Sequence, residues 1–363
     1  MVYNCGSKDV SAMKTPLRWF MILLALMLLV ACSNAATTDA GTDTPVIKPV
    51  ETIGGGEPDG TTEPVTLTPG EHRLTVQGQE RRYLVHVPAA FSPGTPPLAV
   101  LVLHGGGGSA EQMTRTGLEA FGDRDGFAVV YPEGVSQPLA PQNHNWNAGN
   151  CDGVIGISCG GPAFERGIDD VAYFRALLAE LRTGGIRRVF VAGISNGGMM
   201  AHRVGCALTD EIDGIAVIAG ALALPSVEGD GVVRCQPSRP IDVLIIHATN
   251  DENLPYNGGS GRCSAPGRMY PSVDYAVGEW LNFNGCAAAE TEVYRSGIAA
   301  CVEWSCEAGT AVRLCRIDPP PGSEIGGHSW PGSDRACKSG CPCMPTQDLD
   351  ASAMIADFAR RSR

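Results

Sequence analysis

"VFVAGISNGGMMAH", residues 189–202, joins an apolar run, Val189 to Ile194, to a helix-like stretch through the pentapeptide Gly–Ile–Ser–Asn–Gly. A lone serine between Gly193 and Gly197, at the end of a buried strand, predicts a tight strand-to-helix turn. Such a turn exposes the Ser195 hydroxyl at the sheet edge, and the flanking glycines leave room for it.

Outward from this stretch, apolar strand-like runs alternate with helical ones. "RRYLVHV" (81–87) alternates like a half-buried strand, while "LAVLVLHGG" (98–106) and "GFAVVYPEG" (126–134) are continuous apolar runs. "DDVAYFRALLAELRTGG" repeats Val171, Phe174, Leu178 and Leu181 at helical spacing and stops at Gly184. "RRVFVAGI", a helix from about Gly197, "GIAVIAG" (214–220), "IDVLIIHATND" (241–251) and "AVRLCRI" (311–317) follow, and "DLDASAMIADFARR" reads as a last helix. Apolar strands separated by helices predict an α/β fold: a mostly parallel central sheet with helices on both faces and ligands at the carboxyl ends of the strands.

The bulk numbers narrow the function classes. The chain has 363 residues, 44% of them hydrophobic, and a formal net charge of −12. That is enough for one large domain or two small ones, with a sizeable core. An acidic chain without a basic run is a poor nucleic-acid binder, so no nucleic acid is expected as a partner. Nothing in the pattern points to an oligomer, and a monomer is expected.

The first residues read as an export signal. Lys14 and Arg18 precede 13 apolar residues, Trp19 to Ala31. This run falls short of the roughly 20 residues that span a bilayer but fits a signal peptide. The segment from Met13 would be a complete signal by itself, which makes Met13 a candidate start. "LVAC" (29–32) resembles a bacterial lipobox, with Cys32 as the acylated residue and a lipid anchor in a membrane, the outer membrane favoured by Ser33. Ordinary secretion is the alternative. The expected organisation is a lipoprotein signal peptide over 1–31, a flexible Thr/Gly/Pro/Asp-rich tether over 32–66 and a catalytic domain over 67–363.

Of the 14 cysteines, Cys5 and Cys32 belong to the leader. An even remainder in an exported chain predicts disulfides. Local closure suggests Cys151–Cys159, and Cys206–Cys235 would tie the helix after Ser195 to the next strand. "CKSGCPC" (337–343) has the look of a metal knuckle, yet disulfide pairing fits an exported chain better, and no metal is assigned.

A serine hydroxyl needs a base. Of the histidines after Ser195, His202 lies one turn into the helix and His247 lies within an apolar strand, both read as structural. His328, in "GGHSWPG", follows the last strand in a glycine-rich loop and is the candidate base. Asp251 ends "IIHATND" and is the candidate acid to orient the imidazole, with Glu252 its neighbouring rival and Asp242 at the wrong end of the strand. An oxyanion needs two donors. The Asn196 N–H is one, and "LHGGGG" (103–108) offers the other, Gly106 first and Gly105 next. Trp330 and Trp146 lie near the presumed mouth as candidate substrate contacts. Asp169 and Asp170 open a helix and read as caps, and Met199 and Met200 read as core.

"LVLHGGGGSAEQM", "VVYPEG", "NWNAG", "DDVAYFRALL", "VFVAGISNGGMMAHRV", "IIHATNDENLPYNGG" and "GGHSWPG", in this order, resemble the poly(3-hydroxybutyrate) depolymerase / feruloyl esterase family of α/β-hydrolases, in its carbohydrate esterase 1-like, LpqC-type group. The resemblance runs from about residue 70 to 363. It implies the α/β-hydrolase fold and a Ser195–Asp251–His328 triad. The implied activity is hydrolysis of carboxylic esters, polyhydroxybutyrate-type or feruloyl/acetyl-polysaccharide, through an acyl-enzyme and with no cofactor. Ala248 stands where the family's His-Gly-x-x-Asp pattern has glycine. "CDGVIGISCGGPAFERG", "RIDPPPGSEIGGHSW" and "CKSGCPC" depart further and bear on the substrate rather than the reaction. A serine peptidase on the same fold, and a non-catalytic surface binding protein on a hydrolase scaffold, are the alternatives.

Overall fold

The computed structural model describes residues 66–361, except 90–96, 138–139, 150–161, 223–234, 265–267, 335–340 and 342. The expected signal peptide, Cys32, nearly all of the tether and the Cys151–Cys159 pair lie outside the described residues. In chain order the elements begin with β1 (Gly70–Val76), β2 (Gln79–His86), β3 (Leu98–Leu103), α1 (Ala110–Met113), α2 (Leu118–Asp125), β4 (Ala128–Pro132), β5 (Val135–Gln137) and β6 (Ala140–Asn145). There follow α3 (Pro162–Glu165), α4 (Asp170–Thr183), β7 (Arg188–Ile194), α5 (Asn196–Ala207), β8 (Gly214–Ile218), β9 (Asp242–Ala248) and α6 (Val273–Phe283). The last are β10 (Thr291–Ser296), β11 (Ala299–Ser305), β12 (Ala311–Ile317) and α7 (Ala351–Arg361).

Ten strands form one sheet in the order β1-β2-β4-β3-β7-β8-β9-β12-β11-β10. The six central strands run parallel, and antiparallel strands complete the sheet on both sides. The central strands are the apolar runs of the sequence, because a strand covered on both faces has no solvent side to alternate toward. Along β3, Ala99, Leu101 and Leu103 face a core shared with α4, α5 and α6. Leu98, Val100 and Val102 face a second core shared with α1 and α7. Helices on both faces of a mostly parallel sheet make this an α/β-hydrolase fold.

The helix termini follow local chemistry. Asp169 caps α4 by accepting the Ala172 N–H at 3.0 Å, and Gly184 ends it. Asp350 caps α7 by accepting the Ser352 and Ala353 N–H groups. Asp170, expected as a cap, is instead the first residue of the helix, and its carboxylate turns to other partners. Fully buried, it pairs with the Arg81 guanidinium at 2.7 Å and accepts the Asn147 N–H at 2.6 Å. Truncating either partner would leave the other charge buried and unpaired.

The disulfides reinforce the C-terminal half. Cys206–Cys235 ties α5 to the approach to β9, Cys286–Cys306 joins the ends of α6 and β11, and Cys301–Cys315 crosses between β11 and β12. Cys263–Cys341 bridges 78 residues of sequence, and Cys343 is also disulfide-bonded.

Candidate active site

The chain runs from β3 to β4 on one side and returns to β7 on the other, so the strand order reverses between β3 and β7. The carboxyl ends of these two strands flank the crevice where ligands sit in such sheets. Ser195 stands at the end of β7, immediately before α5. Its φ of 58° and ψ of −124° lie outside the regions that side chains ordinarily occupy. The conformation is held by the Ser195 N–H donating to the Ile218 carbonyl at 2.9 Å and by the Ser195 carbonyl accepting from Met199 N–H at 2.8 Å. Both glycines of the pentapeptide are required by contact. A Cβ on Gly193 would lie 2.3 Å from the Gly197 carbonyl oxygen, and one on Gly197 would lie 2.4 Å from the Leu103 and His104 carbonyl oxygens. The helix is thereby pressed against the end of β3, with its N-terminal N–H groups at the crevice.

The loop after β3 forms the facing wall. A Cβ on Gly105 would lie 3.3 Å from the Ser195 Cβ, and one on Gly106 would lie 3.5 Å from the Asn196 Cβ. Gly107 N–H donates to the His144 carbonyl and Gly108 N–H to the Gly105 carbonyl, at 2.8 and 3.0 Å. These two amides are committed, which leaves Gly105 and Gly106 as the glycines of the loop nearest Ser195 and Asn196. His104 supports the loop from below. Its ring is fully buried, Nδ1 donates to the Gly105 carbonyl at 2.8 Å, and Nε2 accepts the Gly134 N–H at 3.0 Å. Burial pushes the imidazole down to about 4, so the ring stays neutral at physiological pH.

Trp146 is not at the mouth. It is fully buried among His104, Tyr173 and Phe174, and its ring N–H donates to the His104 carbonyl at 3.0 Å. The Asn196 side chain clamps the Trp146 backbone, accepting its N–H at 2.8 Å and donating to its carbonyl at 3.1 Å. The expectation of a substrate contact at Trp146 is corrected accordingly: its aromatic surface is spent on the core. Trp330 is also buried, at 7% exposure, with its ring N–H donating to Ser352 Oγ at 3.1 Å. It too packs rather than forming an open stacking face.

β9 and β12 end at the same sheet edge as β7. Asp251 follows β9, and His328 lies in the loop after β12. His328 Nδ1 and Asp251 Oδ2 are 2.8 Å apart. The carboxylate is buried, and its other oxygen accepts the Asn253 and Leu254 N–H groups at 2.8 and 2.9 Å. Burial by itself would raise the Asp251 carboxyl. The facing His328 and the hydrogen bonds from His247 and His328 outweigh it and hold the group well below the usual carboxylate range. Asp251 is therefore an anion, suited to hold a neutral imidazole with its proton on Nδ1 and to stabilise the imidazolium.

The rivals point elsewhere. Glu252 pairs with Arg262, and Asp242 accepts the Ala311 N–H at 2.8 Å at the opposite end of β9. His202 is fully buried, where its Nδ1 accepts the Trp280 ring N–H at 3.0 Å, and burial pushes it down to about 3. Met199 and Met200 are core. Glu252, Cys263 and Cys341 cluster with the donor types of a metal site. The two sulfurs, however, are bonded to each other, so neither is a thiolate ligand.

Two neighbours of the acid have contacts that the sequence did not assign. His247 lies 3.3 Å from Asp251 through Nε2. Asn250 accepts the Gly327 N–H at 2.8 Å and donates to the Ser323 and Ile325 carbonyls at 3.1 and 3.0 Å, binding the His328 loop to the acid turn. His247 is the histidine of the His-Gly-x-x-Asp pattern, whereas the one sequence signal of Asn250 is proximity to Asp251.

The family model described as Esterase PHB depolymerase matches residues 82–239. NocK of Nocardia uniformis subsp. tsuyamanensis, an esterase by its designation, is 32% identical over 306 residues, covering 78% of this chain and 80% of its own length. Feruloyl esterase B of Piromyces equi is 28% identical over 257 residues, and the match spans 69% of this chain but 42% of that longer protein. Among solved structures, acetyl xylan esterase from Aspergillus awamori aligns over 78% of this chain and 99% of its own, at 14% identity and a TM-score of 0.48.

Proposed function

From the premise that this chain belongs to the Esterase PHB depolymerase family and is a carboxylic ester hydrolase, we propose that Ser195, His328 and Asp251 are its catalytic triad. Ser195 Oγ attacks the ester carbonyl carbon while His328 Nε2 takes the hydroxyl proton. Asp251 holds the opposite ring nitrogen. The tetrahedral oxyanion rests on the N–H groups of Asn196 and Gly106, with Gly105 adjacent. The intermediate collapses, His328 returns the proton to the departing alcohol, and an acyl-enzyme remains. Water then attacks with the same base, releasing the acid and restoring Ser195. The residues perform every proton transfer themselves, so the reading requires no cofactor.

The observation that carries the reading is the 2.8 Å contact between His328 Nδ1 and a buried, ionised Asp251, at the same sheet edge as the strained Ser195. Ser195→Ala should lower turnover by about 10⁴-fold or more. A fluorophosphonate probe should label the wild type and not the variant. Labelling of the variant, or its full activity, would defeat the assignment.

The ester is of the polyhydroxybutyrate or the feruloyl/acetyl-polysaccharide class. Relatives named as feruloyl and acetylxylan esterases support the second. Turnover of methyl ferulate against a 3-hydroxybutyrate oligomer, with Ser195→Ala as blank, decides between them. The chain acts outside the cytosol, anchored by acylated Cys32 with residues 32–66 as a tether. The disulfides support export, and "LVAC" supports the anchor. Radiolabelled palmitate should enter the full chain and not Cys32→Ala.

A further inference from the structure

His247 is a buried polar residue that the proposed reaction leaves unused. Its Nε2 lies 2.9 Å from the Leu254 carbonyl oxygen and 3.3 Å from Asp251 Oδ2, the oxygen that faces His328. Both neighbours of Nε2 are acceptors, so the proton belongs there. Nδ1 makes no hydrogen bond among the described residues. A proton on Nδ1 would be a buried N–H without an acceptor, which favours the tautomer with the proton on Nε2. Leu254 closes a ring: its N–H donates to Asp251 Oδ1 at 2.9 Å while its carbonyl receives His247.

We propose that His247 is a positioning residue for the acid, pinning the Asp251 turn through Leu254 and drawing on the charge of the oxygen that His328 uses. The proposal rests on the triad reading above. Its Nε2–H shares Oδ2 with the His328 Nδ1–H, so it limits how much of the carboxylate charge reaches His328.

The surrounding charges leave this role to His247. Tyr256 packs edge-on to the ring at 5.9 Å and directs its hydroxyl to Asp274 at 3.3 Å. Arg316, the register partner of His247 on β12, pairs with Asp318 at 2.9 Å. Glu252 pairs with Arg262. Tyr270 feels the Asp251 charge and is raised by burial, hence neutral, with Arg268 beside it.

The full chain labelled with ¹⁵N-histidine gives a test that needs no folding assumption. His247 should appear as the Nε2–H tautomer, its proton on the nitrogen that faces the Leu254 carbonyl and Asp251. Its signal is assigned by its loss in His247→Gln. An Nδ1–H tautomer would overturn the proposal.

Kinetics on a p-nitrophenyl ester give the second test. His247→Gln can return a donor to the Nε2 position and should keep kcat and the acid limb of kcat/KM near wild type. His247→Leu removes the donor. It should lower kcat about tenfold at unchanged KM, and it should move the acid limb up by about half a pH unit, because Asp251 then favours imidazolium more strongly. A folded His247→Leu with an unmoved limb would overturn the proposal. If that variant does not fold, the tautomer decides. Full activity in Asp251→Asn would instead defeat the triad reading, an outcome that neither His247 readout imitates.

Discussion

The side chain of Asn250 accepts the backbone N–H of Gly327 at 2.8 Å, so the residue before the proposed acid holds the residue before the proposed base. Its amide also donates to Ser323 and Ile325, making three bonds to one loop. A Cβ on Gly326 would lie 2.7 Å from the same amide oxygen, which requires the glycine there, at φ +96°. Asn250→Ala should release the His328 loop without touching substrate. The expected result is a fall in kcat of about 10- to 100-fold, from misplacement of the base by a fraction of an ångström to an ångström, with KM nearly unchanged. Steady-state kinetics check this, and an unaltered kcat would mean that the loop is held by its other contacts.

Ser195 stores strain at a φ of 58°. Ser195→Gly should relieve it and raise the unfolding free energy by about 1 kcal/mol while removing activity. Ser195→Ala keeps the Cβ and should be inactive with little change in Tm. Thermal unfolding of the two variants beside wild type separates strain from chemistry. A Ser195→Gly protein less stable than Ser195→Ala would show that the turn is not strained by its side chain.

The central strands could be read from the sequence because a buried parallel strand is a continuous apolar run, as in Leu98–Leu103 and Asp242–Ala248. The edge pair β10 and β11 could not. Thr291–Ser296 is largely exposed, and Ala299–Ser305 mixes polar and apolar residues, so neither stands out from a loop. The site divides in the same way. Ser195 and Asp251 each sit at the end of an apolar run, and His328 lies in a glycine-rich loop after the last strand, features of local pattern. The partners of Asp251 are set by how two loops meet after folding, and nothing local announces that Asn250 turns toward Gly327. Trp146 shows the opposite error: an aromatic beside a glycine loop has the pattern of a mouth residue, but His104, Tyr173 and Phe174 enclose it.

Asp251 links stability to pH. Its folded carboxyl is held below its ordinary value of 3.8. A depressed carboxylate contributes stability that is present above the unfolded pKa and is lost as pH falls through the folded value. The wild type should therefore exceed Asp251→Asn in unfolding free energy at about pH 5, and the excess should shrink as the pH falls below about 4. Urea titrations of both proteins between these limits check the sign. An excess that grows on acidification would mean that the carboxyl is protonated in the native state.

The Cys263–Cys341 disulfide reinforces the same junction by a second route. Cys263 N–H donates to the Glu252 carbonyl at 2.9 Å, directly after the acid. Beyond Cys341, Met344 exchanges backbone hydrogen bonds with Glu324 and Gly326, at 2.9 and 2.8 Å, under the His328 loop. The bridge thus joins the two turns that present Asp251 and His328 across 78 residues of sequence. Loop-closure entropy for such a span predicts a loss of up to about 4 kcal/mol when both cysteines become serine. The pair should also lose kcat by a smaller factor than Asn250→Ala, because the Asn250 bonds remain. Combining the serine pair with Asn250→Ala should cost more than the product of the separate losses in kcat, since two restraints on one loop substitute for each other. Strictly multiplicative effects would mean that the disulfide supports the fold and leaves the base where Asn250 alone puts it.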